Sequence, residues 1–209
     1  YQTGYDLVKM HEGLSIEVFD AVAAMARDVG IPFGGHVSDD VGLLHTLEAG
    51  QVTIDHLDNY IEALVPEEHR PEIPPGLMGV GTLVDLVDEA RMPQLVESTR
   101  VAGAWVVPTM VLWETVFFGD WPATQLRAER PELRYMPPET VDQWEQAIAD
   151  RLAGADRVAY RRVRELRRTM LQALHEGGVP MLLGTDSPQV FSVPGFSMHH
   201  EMFLWVELG

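Results

Sequence analysis

The sequence predicts an α/β protein, because short apolar runs alternate along it with segments of helical spacing. The runs are nearly continuous in apolar character and rich in β-branched or large aliphatic residues, as buried parallel strands are. About five of them are present, at residues 5–10, 30–36, 51–56, 103–110 and 178–186. Strands that alternate with helices form a parallel sheet with right-handed crossovers.

The first predicted helix has recognisable ends. Ser15 is a favourable N-cap residue, and Gly30 is typical of a helix C-terminus. Between these residues the apolar side chains recur on one helical face, as in a helix that packs against a sheet. They are Ile16, Phe19, Val22, Ala23 and Ala26. The pattern therefore predicts a strand, a helix and a second strand in succession.

The later helices are predicted from the same kind of spacing. A short helix is expected within residues 39–50. A helical region within residues 82–103 is expected to be interrupted near Pro93, because proline removes a backbone donor. Two long helices, the second closed by a pair of glycines, are expected at residues 137–152 and 155–178.

Two segments fit neither a strand nor a regular helix. Residues 58–81 are rich in proline and glycine, and residues 111–138 carry several aromatic side chains. Long loops after the carboxyl ends of strands commonly build binding pockets. We therefore predict that both segments are lid loops; a disordered or decorative insertion is the alternative.

Composition excludes several classes of partner. The formal charge is −17, from 32 acidic and 15 basic residues, which repels a nucleic-acid backbone. No apolar run approaches the roughly 18 residues of a membrane span, so we expect a soluble protein, with the cytoplasm slightly favoured. The chain has no cysteine, so any metal must bind to histidine and carboxylate side chains.

Four of the apolar runs end in a residue that can bind a metal: Lys9, His36, His56 and Asp186. Lys9 is also the only lysine of the chain. Because parallel α/β folds place their sites at the carboxyl ends of strands, these four side chains are expected to converge. Singly, each has a simpler explanation, such as a core histidine, a turn-forming aspartate or an ion pair of Lys9 with Asp6 or Glu12.

Three stretches carry a resemblance to a known family. The stretches are "GGHVSDDVGLLHTLEAGQVTIDHLD", "MLLGTDSP" and "PGFSMHHEM". They resemble the metal-dependent amidohydrolase superfamily, in particular its imidazolonepropionase-like and prolidase-like branch. The resemblance implies part of a (β/α)8 TIM barrel, from about strand four to the helix after strand eight. Residues 1–209 would then form a single catalytic domain that is incomplete at both ends.

The resemblance also implies roles for the four strand-end residues. Lys9 would be carboxylated and would bridge two divalent metals, a role that explains its place in an apolar run. His36 and His56 would bind the second metal. Asp186 would bind the first metal and act as the catalytic residue that takes the proton of the attacking water. The family's strand-one "HxH" ligands do not occur in this sequence.

The function implied is hydrolysis of an amide-type C–N bond by metal-activated hydroxide, with one or two zinc-like ions. The expected substrate is a small molecule such as a dipeptide, an N-acyl amino acid or a cyclic amide. Two alternatives stay open. One is a non-catalytic relative that serves as a binding or assembly module, and the other is a lactonase or esterase on the same scaffold.

The remaining histidines and arginines have secondary roles in this interpretation. Tyr60, His11 and His199 are predicted substrate contacts, with His200 as an alternative to His199. His45 is expected to be structural, and His69 and His175 to lie on the surface. Seven of the fourteen arginines fall within residues 151–168, which indicates a solvated face or a subunit contact, so a homo-oligomer stays open.

Overall fold

The computed structural model describes residues 4–74 and 76–209, and within them the sheet has four parallel strands in sequence order. The strands are β1 (Val8–Met10), β2 (Phe33–Gly35), β3 (Thr53–Asp55) and β4 (Trp105–Val107). Lys9 pairs with Gly34, and Ile54 pairs with Val106. The chain is therefore an α/β protein with a parallel sheet, an arrangement consistent with part of a barrel.

The fifth predicted strand is present only as a bridge. Met181 lies parallel to Val106, whose N–H donates to the carbonyl of Pro180 at 3.0 Å and whose carbonyl accepts from Leu182 at 2.9 Å. Pro180 has no N–H to extend the ladder. The stretch thus runs beside β4 without becoming a regular strand, which corrects the prediction of five strands.

Helix α1 (Ile16–Val29) has the predicted ends. The side chain of Ser15 accepts a hydrogen bond from the N–H of Val18, and Gly30 ends the helix with a left-handed φ of 71°. The predicted apolar face is buried at Phe19, Ala23 and Ala26. Local capping and periodicity were sufficient to predict this element.

The next helices are α2 (Leu43–Glu48), α3 (Val80–Leu86) and α4 (Met92–Ala102). The predicted interruption falls before Pro93, at Val87 and Asp88. Pro93 itself lies in the first turn of α4, where backbone N–H groups have no partner within the helix, so the missing N–H of proline costs no hydrogen bond.

The second half of the chain is mostly helical. Short helices α5 (Met110–Leu112) and α6 (Ala123–Glu129) precede the longer α7 (Pro138–Ala153), α8 (Arg157–Glu176) and α9 (Phe196–Leu208). Helix α8 ends at Gly177, as predicted, where a Cβ would lie 2.3 Å from a methyl group of Val96. Among the described residues, no helix has the length and apolar character needed to cross a membrane.

The two segments predicted as lid loops are largely helical. Residues 58–81 contain three 3-10 helices before α3, at Glu62–Leu64, Glu67–Glu72 and Gly76–Gly79, and Pro75 lies outside the described residues. Residues 111–138 contain a π-helical turn, Trp113–Phe117, then α6 and a 3-10 helix, Pro131–Tyr135. Their role as lids stays a prediction.

Separate apolar clusters hold these layers together. The main cluster packs α4 and α8 against the sheet; it includes Ile54, Leu95, Val106, Leu166 and Met170. A second cluster joins α6 and α7 to the loop that follows the fifth apolar run; it includes Leu112, Leu126, Ile148 and Phe191. Because residues 111–138 contribute to a core of their own, they fold into an ordered layer.

Candidate metal centre

The four candidate ligands follow the strand order along one edge of the sheet. Lys9 is the middle residue of β1, His36 follows β2 directly, and His56 follows β3 directly. Asp186 follows the stretch that runs beside β4. Parallel strands end at the same edge, so the topology alone brings these positions near each other.

The imidazole rings of His36 and His56 lie together. Their centroids are 4.6 Å apart, and the ring of His11 lies 4.8 Å from that of His36 on the other side. Two predicted ligands and one predicted substrate contact therefore share one small volume.

One nitrogen of His56 is left without a partner. His56 is 5% exposed, its Nδ1 is 2.7 Å from the hydroxyl of Thr109, and its Nε2 is buried with no hydrogen-bond partner among the described residues. A buried polar nitrogen without a partner is unfavourable unless something else binds it. The orphaned Nε2 beside His36 fits a site that is completed by a metal ion.

The backbone is in the left-handed region at three neighbouring strand ends. The φ angles are 58° at His56, 45° at Thr109 and 53° at Asp186. Such angles are unfavourable for residues other than glycine, by about 1–3 kcal/mol each, and most of all for a β-branched threonine. Strain of this kind collects at functional sites because the surrounding structure must hold it in place.

Two carboxylates that the sequence analysis did not select lie beside His36. Asp58 Oδ2 is 2.8 Å from His36 Nδ1 and accepts a bond from the N–H of Val37 at 3.3 Å, and Glu12 Oε1 is 3.5 Å from the same Nδ1. Potential ligand atoms of Glu12, His36 and Asp58 all lie within 4.8 Å of one another. The available signal was the stretch "DHLD", in which Asp58 follows His56 by two residues.

The two neighbouring imidazoles have opposite pKa shifts. The hydrogen bond to Asp58 raises the pKa of His36, whereas burial lowers the pKa of His56. His56 therefore favours the neutral form, which keeps a lone pair on one nitrogen. A neutral imidazole is the form that binds a metal.

Lys9 forms an ion pair with Asp55, and not with Asp6 or Glu12, the two partners considered from the sequence. Its ammonium donates to Asp55 Oδ2 at 2.8 Å, with the lysine side chain 53% exposed and the aspartate 13% exposed. Gly35 lets β2 approach β1 closely, because a Cβ there would lie 2.5 Å from the carbonyl oxygen of Met10 and 3.2 Å from Lys9 Cγ. The sole lysine is thus paired with a carboxylate from β3.

Asp186 is exposed and keeps an oxygen available. Its Oδ2 accepts a hydrogen bond from the side-chain amide of Gln189 at 3.1 Å. Burial lowers the pKa of His56, and the negative charge of Asp186 partly opposes that shift. The preceding Thr185 is buried and bonded to Ser197 at 3.0 Å. This bond ties the position of Asp186 to the first turn of α9.

The predicted substrate contacts lie in different surroundings. Tyr60 is fully buried and its hydroxyl is 2.8 Å from that of Thr99; its role as a substrate contact stays a prediction. His11 is exposed beside His36, and His199 is exposed on α9; their roles stay predictions. His200 bonds Glu132 at 2.8 Å and so joins α9 to residues 131–135.

The other histidines fit their predicted places. His45 Nε2 bonds Asp20 at 2.7 Å and thereby joins α2 to α1. His69 is exposed and bonds Glu72 at 2.7 Å, and His175 is exposed on α8. None of the three touches the His36–His56 pair.

A cleft of about 520 Å³ lies elsewhere, between α8, α9 and residues 111–130. Its walls include Arg161, Arg168, Glu114 and Phe203, and none of the candidate ligands lines it. Arg168 and Glu114 are already paired with each other. The cleft is therefore distinct from the candidate centre, which lies at the strand ends.

No family model matches this sequence, and no curated protein matches it. The structure is similar to that of a bottromycin amidohydrolase, with a TM-score of 0.68 and 25% identity over 100% of this chain and 43% of that chain. A Xaa-Pro dipeptidase with methionine bound in its active site is more distant, with a TM-score of 0.48 and 18% identity over 100% of this chain and 40% of that one.

The chain therefore spans less than half the length of the solved structures it matches. The first likeness indicates a fold of the amidohydrolase type.

Proposed function

We propose that this protein is a metal-dependent hydrolase that cleaves an amide-type C–N bond of a small molecule. The observation that carries the proposal is the buried Nε2 of His56, which has no hydrogen-bond partner in the described part of the chain and lies beside the ring of His36. The structural likeness to a bottromycin amidohydrolase supports the same class of enzyme.

His36, His56 and Asp186 are the proposed ligands of a divalent metal, with Glu12 and Asp58 close enough to His36 to contribute oxygen ligands. This set of imidazoles and carboxylates suits zinc or a similar ion. When bound, such an ion lowers the pKa of a water ligand to about 7, so that hydroxide forms at neutral pH.

The surrounding residues orient these side chains. The hydroxyl of Thr109 can accept a bond from His56 Nδ1–H, which leaves the lone pair on Nε2. Asp58 can accept from His36 Nδ1–H in the same way, which fixes the direction of that ring. Each contact selects one tautomer and one orientation.

Asp186 is the proposed general base and acid. Its exposed carboxylate accepts the proton of the attacking water and returns that proton to the leaving nitrogen. His11 and His199, both exposed, are proposed contacts for the substrate. Suitable substrates are a dipeptide, an N-acyl amino acid or a cyclic amide.

Lys9 is the proposed source of a further metal ligand. It would first have to leave Asp55, its present partner; its deprotonated amine would then react with carbon dioxide to form a carbamate and release one proton. The exposure of Lys9 permits this movement. Carbon-13 NMR of protein equilibrated with labelled bicarbonate would detect the carbamate, and its absence in metal-loaded protein would remove Lys9 from the ligand set.

The test is a metal titration followed by a substrate panel. We expect one to two equivalents of zinc in the wild-type protein and turnover of amides, with zinc affinity lost in His56→Ala and turnover lost in Asp186→Asn. His175→Ala is the matched control on the surface of α8.

Amide hydrolysis that is indifferent to both substitutions would overturn the proposal. Turnover of lactones or esters instead of amides would favour a lactonase or esterase on the same scaffold. Zinc binding without turnover of any substrate class would favour a non-catalytic binding module.

A further inference from the structure

Arg167 differs from the other arginines of α8. It is 4% exposed, although the arginine-rich pattern of this helix predicts a solvated face. Its guanidinium donates to the carbonyl of His56 and lies 4.3 Å from the centroid of the Trp113 ring. Burial lowers the pKa of Arg167 to about 10, which still leaves it charged at neutral pH.

The carbonyl that Arg167 binds opens a strained turn. His56, Leu57 and Asn59 have φ angles of 58°, 55° and 59°, and the turn contains no glycine to relieve the strain. The same turn carries Asp58, the partner of His36. The hydrogen bond from Arg167 to the carbonyl of His56 therefore constrains the ring of His56 and also the carboxylate of Asp58, which orients His36.

The surroundings favour a charged group at this position. Glu62, Asp58, Glu114 and Glu201 all stabilise the cationic form of Arg167. A buried guanidinium is tolerated only when carboxylates and hydrogen bonds compensate its lost hydration. The Trp113 ring covers the planar face of the cation, a contact that a lysine would reproduce less well.

We propose that Arg167 is a positioning residue for His56, which it holds through the backbone carbonyl so that Nε2 faces the site. This inference rests on the proposed metal centre for its functional meaning. The contact with Trp113 also joins the centre to residues 111–138, the second predicted lid segment.

The experiment compares Arg167→Met and Arg167→Lys with Arg161→Met, a control that removes an exposed arginine of the same helix. In metal-free protein, nitrogen-15 NMR reports the tautomer of His56. We expect a single Nδ1–H tautomer in the wild type and in the control, and a mixture of tautomers in Arg167→Met.

Zinc competition with a chromophoric chelator supplies the second measurement. We expect zinc affinity to fall about 10- to 100-fold in Arg167→Met, as is typical of outer-shell changes, and less in Arg167→Lys. If Arg167→Met does not fold, the zinc affinity and His56 tautomer of Arg167→Lys test the inference, because this variant keeps the charge and loses the planar guanidinium. An unchanged tautomer and an unchanged zinc affinity in a folded variant would overturn the inference.

The two proposals fail in different ways. If the wild-type protein binds no zinc, the proposed function fails, while the tautomer of His56 in metal-free protein still tests Arg167. If zinc binds and the tautomer does not respond to Arg167, the enzyme proposal stands and the positioning role is wrong.

Discussion

The centre of the sheet and its outer strands present their candidate residues very differently. His36 and His56 follow β2 and β3, which have a strand on each side, and both rings lie in a dense network of contacts. Lys9 lies on β1, which has one partner strand within the described chain, and Asp186 lies beyond the bridge to β4. Both of these side chains are exposed.

The difference shows which part of the centre is already formed. Neighbours on both sides fix the rings of His36 and His56, so their orientation requires no further movement. Lys9 and Asp186 have neighbours on fewer sides and remain free to respond to a ligand. We therefore expect metal affinity to depend most on the central pair and catalysis to depend most on Asp186.

The largest expected effect is on the central pair. His56→Ala should weaken zinc binding by more than the roughly 100-fold seen for strong outer-shell changes, because it removes a ligand outright. Asp186→Asn should lower zinc affinity less and abolish turnover. Chelator competition measures both affinities. Equal losses in the two variants would contradict the view that His36 and His56 are already in place for the metal, whereas Asp186 moves when a ligand binds.

The second prediction concerns how the outer edge is held. Glu201 is fully buried; its carboxylate accepts from the N–H groups of Met110 and Val111 at 2.9 and 2.6 Å and from Trp205 at 2.8 Å. Glu201→Ala should reduce the free energy of unfolding by about 3 kcal/mol, because it leaves backbone donors unpaired. Urea denaturation measures this loss.

The matched control for that measurement is Glu207→Ala, which changes an exposed glutamate on the same helix. It should alter stability by less than about 0.5 kcal/mol. A similarly small change in Glu201→Ala would show that apolar packing, and not this side chain, secures α9.

The third prediction tests the hydroxyl that orients His56. Thr109→Val keeps the shape of the side chain and removes the bond to Nδ1, so zinc affinity should fall about 10-fold. Thr109→Ser keeps the hydroxyl and should retain most of the affinity. Equal zinc affinities in the two variants would mean that the hydroxyl has no orienting role.

The smallest expected effect is that of Lys9→Met on the free energy of unfolding of the metal-free protein. The pair with Asp55 is half exposed on the lysine side, so Lys9→Met should change the free energy of unfolding by less than about 1 kcal/mol. Urea denaturation of the metal-free protein checks this value. A loss of several kcal/mol would show that Lys9 is part of the formed centre.

Much of the local structure could be predicted from the sequence. Ser15 and Gly30 mark the ends of α1, and the glycines after residue 176 mark the end of α8, because caps and stops act within one turn. Residues 58–81 and 111–138 were harder, since their short 3-10 and π-helical turns depend on packing and leave little periodicity in the sequence.

The candidate site was predictable in position and not in its contacts. Strand ends pointed to Lys9, His36, His56 and Asp186. The stretch "DHLD" places Asp55 and Asp58 next to this site, but it does not indicate that Asp55 binds Lys9 or that Asp58 binds His36. The burial of Tyr60 was missed for the same reason. Which side chains meet across 20 or more residues is decided by strand register and turn geometry.

The sequence by itself determined the alternation of strands and helices, the helix ends and the row of polar residues at the strand ends, because these features follow from spacing and from capping over a few residues. The tertiary structure alone decided that Arg167 is buried against His56 and that His56 Nε2 has no hydrogen-bond partner among the described residues. Both depend on the packing of α8 and β4 around the turn that begins at His56, 111 residues before Arg167 in the chain.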